Sequence, residues 1–115
     1  MKRENIKIFI LYNELANIER YMEEICFGIE EEGLPYTRLA YEDQDFMDLA
    51  TMGAEMSRLN VGIGIDHRGN IGIKHRNFSR DQVLFPQNIL RDRVDLRALG
   101  ANSARLIKGI PFKIE

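Results

Sequence analysis

Ile6 to Tyr12 reads IKIFILY, a run that is almost wholly apolar and rich in β-branched residues. Such a run fits a strand buried on both faces, as in the middle of a parallel sheet. The period changes from Asn17. Ile18, Met22, Ile25 and Ile29 fall at i, i+4, i+7 and i+11, one face of a helix. Gly33 stands where a left-handed residue closes a helix, and Pro35 prevents continuation. Tyr36 to Tyr41 (YTRLAY) then reads as a second strand after a short αβ loop. A strand, a helix and a strand in this order predict a parallel crossover.

Working outward, Asp43 or Asp45 is expected to cap a second helix running to about Arg58, with Phe46, Leu49, Met52 and Met56 on its inner face. Asn60–Asp66 (NVGIGID) and Ile71–His75 (IGIKH) flank a glycine-containing turn and predict a β-hairpin. Val83–Phe85 reads as a short strand stopped by Pro86. The last helix is expected to start near Asp92, to draw on Val94, Leu96, Leu99, Ala104, Leu106 and Ile107, and to end at Gly109 and Pro111. The order β-α-β-α-β-β-(β)-α predicts an α/β fold with one antiparallel intrusion from the hairpin. Residues 1–115 read as a single domain, without repeat or linker.

With 115 residues and 44% apolar composition, a sizeable core is expected and disorder is not. No apolar run approaches the roughly 20 residues of a membrane span. The opening segment lacks the length and cleavage site of a secretory signal. One cysteine fits a reducing cytoplasm. The net charge of −2 conceals two halves: 13 acids and 5 bases up to residue 57, then 5 acids and 11 bases. This polarity fits acidic helices packed on basic ones, and equally two faces for charged partners. The basic half has no regular aromatic interleaving, so no nucleic-acid surface is expected.

Site chemistry is sparse. Val61-Gly62-Ile63-Gly64 holds GxG, but a hairpin follows where a dinucleotide site needs a helix. The plainer reading is that Gly62 and Gly64 let another backbone pack closely. His67, His75 and Cys26 do not make a zinc set, and Cys26 reads as a small core residue. Glu30-Glu31-Glu32 is the exception. Three carboxylates in the last turn oppose the helix dipole at a few tenths to about 1 kcal/mol each. They read either as a solvated charge run or as carboxylates committed to an external cation or a basic partner. A hard oxygen ligand at a helix end suits Mg²⁺ or Ca²⁺ if a partner completes the shell.

Three stretches together resemble one family: GIEEEGLP (Gly28–Pro35), VGIG (Val61–Gly64) and LGANSARLIKGIPF (Leu99–Phe112). They are similar to the small subunit of the diol/glycerol dehydratase-reactivating factor. The resemblance implies a three-layer α/β/α fold around a mostly parallel mixed sheet with one antiparallel strand, in agreement with the element order, and an accessory subunit without catalytic residues or a cofactor of its own. It implies a large partner subunit with a chaperone-type ATPase domain that binds ATP. It further implies release of damaged cobalamin from an inactivated adenosylcobalamin-dependent dehydratase, by exchange of this chain for the related medium subunit of the enzyme. A glutamate of GIEEEG reaches a divalent metal held by the large subunit in that family, a role that falls on Glu31, with Glu30–Glu32 forming the partner interface. A cytoplasmic location, in the open or within a protein-shelled microcompartment, is implied as well. Self-association of the isolated chain through the same surface is compatible with this reading. Two alternatives remain at this level. One is a medium subunit of the dehydratase itself, expected to be longer. The other is a flavodoxin-like module for a small ligand.

Overall fold

The computed structural model describes residues 5–114. Five strands and three helices alternate as β1 (Ile8–Tyr12), α1 (Ile18–Glu31), β2 (Tyr36–Ala40), α2 (Phe46–Met56), β3 (Val61–Ile65), β4 (Asn70–His75), β5 (Leu84–Asn88) and α3 (Leu96–Lys108). They form one sheet in the order β2-β1-β3-β4-β5. β1 pairs in parallel with β2 and β3, and β4 is antiparallel to both β3 and β5. Four strands therefore run one way and β4 alone runs against them, as the hairpin in the sequence predicts.

β1 lies between β2 and β3, and all five of its residues are buried. Its side chains alternate between the faces. Ile8, Ile10 and Tyr12 join the buried face of α1 and Leu96 and Leu99 of α3, whereas Phe9 and Leu11 meet Leu49 of α2. Two helices thus cover one face and one covers the other. The four apolar positions read from the helical period of α1 are all buried.

Close backbone packing holds the layers together. A Cβ on Gly62 would lie 2.4 Å from the Ala50 carbonyl oxygen, and one on Gly64 would lie 2.1 Å from that of Phe46. VGIG is therefore the bed of α2. Across the sheet, α1 and α3 cross at Gly28 and Gly100. A Cβ on either would stand 2.0 Å from a carbonyl oxygen of the other helix, Arg97 or Ile25.

Three expectations need correction. The buried centre of α2 is Leu49, Ala50, Gly53 and Ala54, while Met52 and Met56 are only partly buried, because the helix lies against glycines and presents its small residues. Pro86 does not stop the last strand, which runs from Leu84 to Asn88. β5 is an edge, its register with β4 shifts between Ile71 and Ile73, and Phe85 takes φ 52°, so proline sits in an irregularity where no ladder donor is required. Finally, α3 starts at Leu96, capped by Asp95, whose side chain accepts from the Ala98 N–H at 2.9 Å; Asp92 instead accepts from the Asn88 N–H at 2.9 Å.

Candidate functional site

Glu30–Glu32 end α1. Gly33 adopts φ 79°, its N–H donates to the Glu30 carbonyl at 2.9 Å, and the Leu34 N–H donates to that of Ile29 at 3.4 Å. These two bonds are a Schellman closure, which needs a left-handed residue at Gly33. The last turn of α1 contains no basic residue. Its cations come from α3. Lys108 Nζ donates to both the backbone carbonyl and Oε1 of Glu32 at 2.8 Å, and Arg105 Nε donates to Oε2 at 3.1 Å. The cost of acids at the negative helix end is thus offset by a neighbouring helix.

The three carboxylates diverge. Glu32 turns inward, with its side chain 9% exposed. The Lys108 hydrogen bond, seconded by Arg105, holds its carboxyl below the ordinary range against the opposing effect of burial. Glu30 accepts from the Tyr36 hydroxyl at 2.6 Å, which pushes that phenol well above its usual range. Glu31 faces outward. Its Oε1 lies 3.2 Å from Arg97 Nε, and both side chains are about half exposed, at 49% and 50%. Arg97 also lies over the Phe27 ring, 5.4 Å from its centroid. An exposed pair of this kind is worth about 0–1 kcal/mol. Glu31 is therefore a carboxylate whose existing pair a competing cation can take over cheaply.

Glu31–Arg97 and the Glu32 pairs join the acidic half of the chain to the basic half, so part of the charge polarity is internal. Cys26 sits on the buried face of α1, in the core cluster. Burial pushes its thiol up, partly opposed by Tyr36 and Arg38.

A second polar cluster lies at the carboxyl ends of β1 and β3. Buried Asp66 accepts from the backbone N–H groups of Arg68 and Asn70 through Oδ1, and from the Phe46 N–H and the Asn70 side chain through Oδ2, all at 3.0–3.2 Å. Asn13 donates to the Tyr41 carbonyl at 2.7 Å and accepts from the His67 N–H at 2.9 Å. In open α/β sheets the crevice where the strand order reverses is the usual ligand site. Here its polar side chains are engaged in closing turns and capping α2. His67 is exposed at this end, and His75 Nδ1 accepts from the Asn77 N–H at the other. Among the described residues no three His, Cys, Asp or Glu side chains are placed to hold a metal.

From the sequence, Asn13 reads as a turn or cap residue after the first strand and Asp66 as the end of the NVGIGID run beside His67, while Asn88 and Asn102 carry no reading. Asn88 ties the 67–70 turn to the 89–91 turn, and Asn102 clamps the backbone of Lys113 through both ends of its amide. Asp66 had a further legible signal, a strand followed by Asp and then Gly three residues on, which favours a side-chain-closed turn.

No helix among the described residues is long and apolar enough to cross a membrane. The dehydratase medium subunit family model matches residues 7–113. The propanediol dehydratase-reactivating factor small subunit of Salmonella typhimurium is 34% identical over 106 residues, covering 92% of this chain and 88% of that one. Among solved structures, a chain of a glycerol dehydratase reactivase superposes with a TM-score of 0.85 at 30% identity, covering 94% and 96% of the two chains. A chain of a diol dehydratase-reactivating factor complexed with ADP and Mg²⁺ gives a TM-score of 0.81 at 32% identity, covering 94% and 97%. The resemblance seen in the three sequence stretches thus extends through nearly the whole fold, and the chain belongs to the dehydratase medium subunit family, with the small subunits of the diol and glycerol dehydratase-reactivating factors.

Proposed function

We propose that this chain is the small, accessory subunit of an ATP-dependent, chaperone-like factor that releases damaged cobalamin from inactivated diol or glycerol dehydratase by subunit exchange. ATP hydrolysis belongs to a large partner subunit. This chain occupies the partner until a dehydratase displaces it, and it works in the cytoplasm, in the open or within a microcompartment. The likeness to a reactivating factor complexed with ADP and Mg²⁺ supports a nucleotide and a metal on that larger assembly.

The observation that carries the site reading is the divergence of the three glutamates. Glu30 and Glu32 are engaged by Tyr36, Lys108 and Arg105, while Glu31 has only an exposed pair with Arg97. A single outward carboxylate fits one ligand position of Mg²⁺, which takes oxygen donors and keeps most of its shell from elsewhere. It does not fit a site built by this chain alone. Glu31 would supply one hard oxygen to a metal held by the large subunit, while Arg97 retains Phe27 as an alternative contact.

The test is binding of the large subunit, measured by calorimetry in Mg²⁺ and in EDTA. Glu31→Ala is expected to weaken the complex about tenfold in Mg²⁺, the loss of one charge-assisted contact, and to change little in EDTA. Equal affinities for both proteins in Mg²⁺ would remove the metal bridge. Mixing this chain with the dehydratase's large and small subunits is expected to restore no diol dehydration; restored turnover would make it an enzyme subunit instead.

A further inference from the structure

We propose that the open edge of β2, with the groove between it and α1, receives an extended basic segment of the large partner subunit as a sixth strand. The inference rests on the reading that such a partner exists, and it adds where and how this chain is gripped.

The two ends of the sheet are unlike. At the β5 edge, Pro86, the shifted register and Phe85 interrupt the strand, and the Phe85 ring packs edge-on against Phe112 of the C-terminal segment at 5.2 Å. These are the devices by which a sheet edge is kept from pairing. β2 has none of them. The Ile8 N–H donates to the Pro35 carbonyl, and the Tyr41 N–H donates to the Tyr12 carbonyl. Parallel pairing alternates, so the main-chain groups of residues 35, 37, 39 and 41 point toward β1. Those of Tyr36, Arg38 and Ala40 point outward, and among the described residues no strand pairs with them.

The groove beside this edge has a volume of about 410 Å³. Glu19, Glu23 and Glu30 line its α1 wall, Tyr36 and Arg38 its β2 wall, and Phe27 lies 37% exposed beside them. Arg38 is occupied by Glu19, and Glu30 takes the Tyr36 hydroxyl. Glu23 has no ion-pair partner among the described residues. The wall therefore has acid to spare for an incoming cation, and Phe27 offers its ring to the stem of a lysine or arginine. A second copy of this chain fits poorly. Antiparallel pairing about Arg38 sets Arg38 against its own copy and one acidic wall against the other, and like charges placed directly opposite destabilise a sheet.

The experiment is amide hydrogen exchange, resolved to single residues, on this chain alone and in complex with its large subunit. Tyr36, Arg38 and Ala40 are expected to slow at least tenfold in the complex, while Thr37 and Leu39 are already slow. Ala40→Pro removes one outward N–H and leaves the β1 ladder in place; it should weaken the complex about tenfold without altering the thermal midpoint of the free chain. Glu23→Lys should weaken it and flatten its salt dependence. A complex that forms with unchanged exchange at Tyr36, Arg38 and Ala40 overturns the edge proposal and leaves the assigned function standing. Absence of any complex overturns both. Protection of the same amides in a dimer of the isolated chain makes a second copy the occupant and also overturns it.

Discussion

Replacing Gly100 with alanine tests the α1–α3 crossing. The new Cβ would lie 2.0 Å from the Ile25 carbonyl oxygen and 2.9 Å from its carbon, so the helices must part by more than 1 Å to restore an ordinary contact. A gap of even ~1 Å forfeits up to about half of the dispersion attraction along the contact, and overpacking of this kind costs about 1–3 kcal/mol. Against it stands the helix preference of alanine over glycine, about 1 kcal/mol. Because the obstacle is backbone on both sides, the steric cost lies at or beyond the top of its range, and the net loss should be about 2 kcal/mol. For 115 residues the unfolding entropy is about 0.24 kcal/mol/K, so the midpoint in calorimetry should fall about 8 °C. Gly28→Ala should behave alike, with its Cβ 2.0 Å from the Arg97 carbonyl oxygen. The double variant should lose less than the sum, since the first alanine has already parted the helices. An unchanged or raised midpoint for Gly100→Ala would show that propensity outweighs contact and that the close crossing is wrong.

Two further perturbations follow. Because pairing lowers the Glu32 carboxyl from its ordinary 4.5, its contribution is whole above that pH and fades as pH falls through the folded value. Glu32→Gln should cost about 1.5 kcal/mol at pH 7 and show a shallower loss of thermal midpoint between about pH 5 and 3 than the parent chain; identical acid profiles would exclude the pairing. Asp66→Ala leaves four donors without their acceptor and should cost about 3 kcal/mol in urea titration, with Asp66→Asn in between, because an amide has one acceptor oxygen rather than two. Equal stabilities for Asp66→Ala and Asp66→Asn would exclude acceptance through both oxygens.

The parts of the fold legible in sequence were those set by local periodicity and breakers. The 3.6-residue spacing of Ile18, Met22, Ile25 and Ile29 gave the buried face of α1, and Gly33 with Pro35 gave its end. Hydrophobicity misled in α2, where the larger methionines read as the inner face but a glycine-lined strand admits only small residues. Pro86 misled because a proline rule written for central strands does not apply at an irregular edge. The candidate site was half visible. Three acids at a helix end stand out in any reading, but the cations that answer two of them come from Arg97, Arg105 and Lys108, at least 66 residues away in sequence. Their distribution, one acid outward and one inward, depends on how α1 and α3 cross, which no local pattern encodes.

That crossing links scaffold to site. Several residues of the stretches that carry the family resemblance act on the fold: Gly28 and Gly100 set the helix contact, Gly62 and Gly64 receive α2, Gly33 closes α1, and Asn102 fastens the C-terminal segment. Glu32 pins the end of α1 to α3 through Arg105 and Lys108. Glu31 is therefore presented from a turn fixed on both sides, even though its own pair is exposed. Arg97 belongs to the same contact, since its carbonyl oxygen is the atom nearest Gly28 and its guanidinium faces Glu31. Among the described residues a cation at Glu31 would compete with that guanidinium alone, and Phe27 lies where Arg97 would still find a partner. The fold thus keeps the carboxylate in place at little electrostatic cost to release from its exposed pair.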